Sequence, residues 1–262
     1  MGMRVYWEVM LRSLRRQATY RGATFAGIFT NTVFAFFFAY VQIAVYRERS
    51  LVGTFTRQDA LTMVFVSQGM LMVVHAFSER TISTRVASGD IATDLYRPID
   101  FSFYWMADFL GRSATGLVLR GIPPFVVGVI AFHIAVPHQA ATWLAFLVTA
   151  LVAACVASRF WMLVNLTAFW LVDVRGIIQL GTAVFVVGSG IAIPLQYYPN
   201  AVQTVLRATP FAYMVQRPIE LFLGKGSFGV VFAGQVLWFA TLEIAVRRVM
   251  ARATLRVVLQ GG

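Results

Sequence analysis

Carboxylates and soft metal ligands are scarce in this chain: its 262 residues hold 11 Asp and Glu, three histidines and a single cysteine, Cys155. One cysteine excludes an intramolecular disulfide framework and a cysteine-built metal site. His133 and His138 have no ligand-type neighbour at i+3 or i+4, the spacing that would put two ligands on one helix face, and His75 has only Glu79 at i+4, too few for a metal site. No G-x-x-x-x-G-K-[ST] run occurs, so no ATP site is expected in the chain. "GKGSFG", from Gly224 to Gly229, does fit G-x-G-x-x-G, but it borders an apolar run instead of joining a strand to a helix, where a nucleotide-binding turn belongs. Glu79, Asp90, Asp94, Asp100 and Asp108 share one polar segment without a histidine, so the convergent acids, bases or metal ligands of membrane catalysis are missing. No enzyme activity and no bound cofactor or metal are expected.

What the chain has in quantity is apolar surface. Hydrophobic residues make up 59% and charged residues 13%, with a mean hydropathy of +0.72, where soluble domains carry about 25% charged residues. Six runs are long and apolar enough for membrane helices: 23–46, 60–77, 116–136, 140–170, 177–195 and 228–246. The fold class expected is therefore an all-α integral membrane protein, one domain over 1–262, because lipid cannot satisfy open backbone groups. The fourth run is too long for one span, so its far end near Arg159 to Asp173 should leave the membrane and turn at "DVRG", with Arg159 snorkelling. The pair Pro123-Pro124 should kink the third. Residues 1–22 place Arg4, Glu8, Arg12, Arg15 and Arg16 on one arc of a helical wheel and Trp7, Met10, Leu11 and Leu14 on the other, the pattern of an interfacial helix.

The net charge of +11 comes from 22 Lys and Arg scattered between apolar runs, not gathered in a patch, so a lipid bilayer and no nucleic acid is the expected partner. With both termini in the cytoplasm, 16 of the 22 fall on the inner side and 6 on the outer, which fixes the orientation expected in a cell inner (plasma) membrane. Glu243 lies near the inner end of the last run, one turn from Arg247, and reads as a helix-surface pair. No acid stands at mid-span, as an ion-driven carrier or channel would need.

Two segments break the apolar texture. "VASGDIATDLYRPID", Val86 to Asp100, connects the second and third runs on the inner side. Ser88-Gly89 breaks a helix, Asp90 starts a new turn where a carboxylate suits the helix dipole, and Arg97-Pro98 ends it. A short helix follows, expected to expose Asp90, Asp94 and Arg97 and to offer Ile91, Leu95 and Tyr96 for apolar contact. It fits a groove on a soluble partner, and equally a helix that merely joins two spans. On the outer side, Pro194, Pro199, Pro210 and Pro218 cut residues 194–226 into short helices, with Phe211 and Tyr213 too apolar for a free loop. A half-inserted element packed on the helices is expected, lining or gating a pathway through Pro194, Pro199, Pro210, Phe211 and Tyr213.

"SGDIATDLYRPID", with "SGIAIPLQYYP" (Ser189 to Pro199) and "ATPFAYMVQRPIELFLGK" (Ala208 to Lys225), resembles the permease subunits of the ABC type-2 transporter family. The resemblance implies a half-transporter: two permeases, identical or different, form the pathway, and a dimer of separate ATPase subunits binds ATP and Mg and docks below. It makes Ser88 to Arg97, with Ser88, Gly89, Asp90, Ile91, Asp94, Leu95, Tyr96 and Arg97, the helix that couples to the ATPase. It also implies export, and the Phe, Val, Met and small side chains expected to face the pathway suit an amphipathic small molecule or lipid-like cargo. An ATP-independent six-helix secondary transporter or channel is the alternative.

Overall fold

The computed structural model describes residues 2–18, 21–74, 80–171 and 173–260. His75, Glu79 and the last residues of the expected 60–77 run lie outside the described residues. The regular structure of the described residues is helical apart from one two-stranded hairpin, β1 (Leu51–Val52) with β2 (Phe55–Thr56). Among the described residues four helices are long and apolar enough to cross a membrane: 24–45, 101–132, 140–169 and 228–256. The protein is an all-α, multi-pass membrane protein.

The first crossing helix is α2 (Arg21–Val45), and the hairpin joins it to α3 (Arg57–Val74). α3 is the core of the bundle, with 13 of its 18 residues buried. Its hydropathy is lowered by Thr62, Ser67 and Gln68, yet all three are buried and two are satisfied: Thr62 and Ser67 hydroxyls donate to the carbonyls of Gln58 and Val64. A helix walled in by its neighbours needs no lipid-compatible face, so hydropathy alone undersells it.

Helix α6 (Phe101–Gly116) runs through one π-helical turn, Leu117–Gly121, into α7 (Ile122–Phe132). The third run was expected to begin at Gly116; the helix begins a full 15 residues earlier. Asp100 explains the start, since its carboxylate caps the helix by accepting from the Phe103 amide at 3.0 Å. Pro124 removes the amide that the Arg120 carbonyl would have met, and the Asn31 side chain of α2 donates to that oxygen instead, at 3.4 Å. The irregular turn is therefore tied into the bundle. Beside it, Gly69 of α3 and Gly121 meet backbone to backbone: a Cβ on Gly121 would lie 2.8 Å from the Gly69 Cα. Only hydrogen fits there, the close approach that small residues permit between membrane helices.

α7 ends at His133, in the left-handed conformation with φ 49°, short of the expected 136. α8 (Ala140–Leu166) and a 3₁₀ turn (Thr167–Phe169) lead to α9 (Arg175–Ser189). α9 has 15 residues and stops at Gly190, φ 82°, so the expected run to 195 loses its last turn and a half. Three short helices follow, α10 (Asn200–Ala208), α11 (Pro210–Met214) and α12 (Gln216–Phe222). The last helix, α13 (Phe228–Gln260), continues well past the expected 246.

The N-terminal α1 (Gly2–Ala18) lies along α6. Ser13 donates to the Asp108 carbonyl at 2.9 Å, Thr115 to that of Leu14 at 3.3 Å, and Arg16 pairs with the Asp108 carboxylate at 3.3 Å. Its outward side keeps Met3 and Trp7 exposed. The bundle thus has two distinct ends. One, rich in arginine, carries α1 and the C-terminal turns of α13; the other carries the hairpin, where Lys225 pairs with Asp59 at 3.1 Å.

Candidate functional site

At the arginine-rich end, α4 (Thr81–Ala87) and α5 (Ile91–Leu95) form a tight helical hairpin. Its reversal depends on Gly89, whose φ of +80° is cheap only without a side chain. Asp90 does not cap α5; it is exposed, and its carboxylate accepts from the Ser88 hydroxyl at 2.9 Å. Asp94 and Ile91, three apart on one face, point inward and are 5% and 2% exposed. The expectation that Asp94 faces outward is thereby corrected. Arg85 from α4 and Arg97 from beyond α5 converge on its two oxygens, the first by a short Nε contact and the second at 3.1 Å. Arg97 also lies over the Tyr104 ring, 5.2 Å from its centre. The outward side belongs to Tyr96, 89% exposed, with Asp90 and Arg97 beside it and Leu95 half-buried.

From α5 a chain of charges runs into the helices. Asp100, the cap of α6, lies 3.5 Å from Arg247 Nη1 on α13. Arg247 Nε meets Glu243 Oε1 at 2.6 Å, and Glu243 Oε2 meets Arg159 Nη1 of α8 at 2.8 Å. Arg159 is 1% exposed and also donates to the Ser102 hydroxyl and, at 3.1 Å, to its carbonyl. The Phe103 ring lies 6.0 Å from the Arg159 guanidinium and 5.6 Å from that of Arg247. Two expectations are corrected here. Arg159 does not snorkel, because α8 is packed by α13, α6 and α3 and its side chain has a carboxylate nearer than any headgroup. Glu243 is not merely a surface partner of Arg247; it bridges two helices. The legible signal was the lone arginine and the lone acid buried in two separate apolar runs, since opposite charges in lipid seek each other.

At the other end, the prolines delimit the short helices: Pro199 precedes α10, Pro210 opens α11 and Pro218 falls in the first turn of α12. Phe211 packs edge-on against Phe160 of α8, ring centres 5.0 Å apart, and against Phe185 of α9. Phe160 lies 20 residues along α8 from Ala140, about 30 Å at the α-helical rise. Tyr213 instead abuts Gly234 of α13 and lies under Arg217. Pro194 is buried beside Gln42, Met63 and Ser67, and Pro199 is exposed. These five residues therefore do not converge on one cavity. What unifies the segment is polar and was missed: buried Glu220 accepts from Arg207 at 2.6 Å, from Gln216 at 2.9 Å and from Arg217 at 3.4 Å. Gln216 in turn accepts from the Leu195 amide at 2.7 Å. The i, i+4 spacing of Gln216 and Glu220 in "QRPIE" was the available sign.

Among the described residues no group of three or more His, Cys, Asp or Glu could hold a metal ion. No curated protein and no solved structure matches the chain. One family model does, and it spans residues 29–260, from the first crossing helix to the end of the last. By that match the chain belongs to the family described as ABC-2 family transporter protein.

Proposed function

We propose that this protein is the membrane-spanning permease subunit of an ATP-driven exporter in the cell inner membrane, with both termini cytoplasmic and six helices crossing. Permeases of the family work with an ATPase partner, and here the ATP and Mg sites belong to that partner's dimer. In this reading α3 and α9 are the two crossings that length and hydropathy undersell, α9 being completed by the α10–α12 segment, half-inserted from the outer face. The pathway forms between two permeases, either two copies or two different chains, and its apolar walls suit an amphipathic or lipid-like cargo.

The observation that carries the reading is the clasped turn. Asp94 held by Arg85 and Arg97 makes α4 and α5 one stiff unit, Tyr96 stands out from it at 89% exposure, and Asp100 continues it into the Arg247–Glu243–Arg159 chain. A push on Tyr96 thus reaches α6 through the short link 97–100 and the Arg97–Tyr104 contact, and from Asp100 reaches α13 and α8 through charge pairs. The same chain weighs against an ATP-independent carrier, because the acid such a carrier would protonate, Glu243, is occupied by two arginines.

The test is a complex purified in lipid with its ATPase. Tyr96→Asp leaves insertion and thermal stability unchanged, yet weakens ATPase retention by about 30-fold, the loss typical of an exposed aromatic anchor, and abolishes cargo stimulation of hydrolysis. Full retention and stimulation in that variant, or cargo movement in vesicles without ATP, contradicts the reading.

A further inference from the structure

Beside α4, at the arginine-rich end, an open crevice of about 450 Å³ lies between α4, the turn after α8 and the end of α13. Its size falls in the range of about 300–1,000 Å³ usual for ligand sites. Two arginines reach it from opposite sides, Arg80 at the start of α4 and Arg256 near the end of α13. Among the described residues neither has an acidic ion-pair partner, and Arg256 lies over the Trp170 ring at 5.8 Å. Among the described residues the acid that lines the crevice is Asp173, and it is already engaged: it accepts from the Arg175 amide at 2.8 Å and from its guanidinium at 2.6 Å. These bonds, with a smaller effect of Arg80, hold its carboxyl below the usual range. On the described residues the site therefore carries surplus positive charge. The rest of its wall mixes the hydroxyls of Ser83 and Thr84 with apolar side chains, and the lip is greasy: Trp170 is 39% exposed and Leu171 42%.

We infer that this crevice binds the phosphate of an anionic phospholipid from the leaflet at that end of the bundle, Arg80 and Arg256 holding the headgroup while the acyl chains run out over Trp170 and Leu171. One crevice thus brings together what such a molecule requires, two cations for the headgroup and exposed aromatic and aliphatic side chains beside them for the chains. A soluble phosphate or an acidic protein segment would satisfy the arginines and leave the lip exposed. Because the headgroup bridges α4 to the turn after α8 and to α13, an occupied crevice fixes the base of the α4–α5 unit. This inference concerns binding alone and stands whether or not the protein is ATP-coupled.

The test is native mass spectrometry of the full chain titrated with dioleoyl phosphatidylglycerol or dioleoyl phosphatidylcholine. The wild type takes up one phosphatidylglycerol first, well ahead of phosphatidylcholine. Arg80→Gln with Arg256→Gln weakens that first binding by about 5-fold per arginine, leaves phosphatidylcholine uptake unchanged and keeps the wild-type melting temperature. Arg4→Gln with Arg12→Gln, removing the same charge from α1, changes it less than about 2-fold. Ala168→Trp, which fills the wall, abolishes the first binding while both arginines remain. Equal losses in the two arginine pairs, or undiminished binding in Ala168→Trp, overturn the site. Displacement by inorganic phosphate, by glycerophosphoglycerol without acyl chains or by a glutamate-rich peptide, at concentrations matching the lipid, overturns the lipid as its occupant.

Discussion

Glu243 shows how much one side chain can hold in a chain with few acids. It neutralises Arg159, which has no water to turn to, and Arg247, which is about half exposed. Removing one partner of a buried pair strands the other charge at a cost of about 3–5 kcal/mol. Glu243→Gln should therefore lower the melting temperature in detergent sharply, and Arg159→Met with Glu243→Leu should recover most of the loss. Arg247→Gln should cost about 1 kcal/mol or less, as an exposed pair does. Three equal effects in the melting series would refute the bridging role of Glu243. Glu220 makes the corresponding hub at the other end. Its two arginines come from α10 and α12, so Glu220→Gln should loosen α10, seen as faster hydrogen exchange at 200–208 without change in α13.

At the scale of elements, the α4–α5 hairpin turns on the backbone of Gly89 rather than on space around it. No atom lies within 4 Å of where its Cβ would be, so any penalty comes from φ of +80° alone. Asn tolerates that region and a β-branched residue does not. Gly89→Asn should keep normal activity, while Gly89→Val should tilt α5 and lose coupling with little change in overall stability. Equal behaviour of the two would mean the reversal does not need its geometry. The position of this hairpin was legible: Ser88-Gly89 marked the break and Arg97-Pro98 the end. Its facing was not, because in a five-residue helix the inward side is chosen by distant partners, here Arg85 and Arg97 closing on Asp94. The start of α6 was misjudged for a related reason. Asp108 and Arg112 depress the hydropathy of 101–116, but the two pair with each other at 2.8 Å and pack beneath α1. Asp100 directly before Phe101 was the cap signal that outweighs them. The fragmentation of 194–222 followed from its prolines, whereas the Glu220 hub depended on contacts among residues up to 25 apart, of which only the Gln216–Glu220 pair had a periodic trace.

For the whole molecule, the apolar runs gave the class and most helix positions, while the distribution of arginines carries the orientation. Two cysteines in a Cys155→Ala background check that orientation: at Gly53, in the hairpin, an impermeant thiol reagent should react from outside, and at Ser88 it should not. Labelling at Ser88 from outside would invert the protein and detach the α4–α5 unit from any cytoplasmic ATPase. The central claim, that this unit is the surface on which the ATPase acts, has a sharper test in the difference between two neighbouring positions. Asp94 is 5% exposed and Tyr96 is 89% exposed. A photocrosslinking amino acid placed at each in turn, in membranes containing the ATPase, should yield a permease–ATPase adduct from 96 and none from 94. Adducts from neither position, or from 94 alone, would contradict the account.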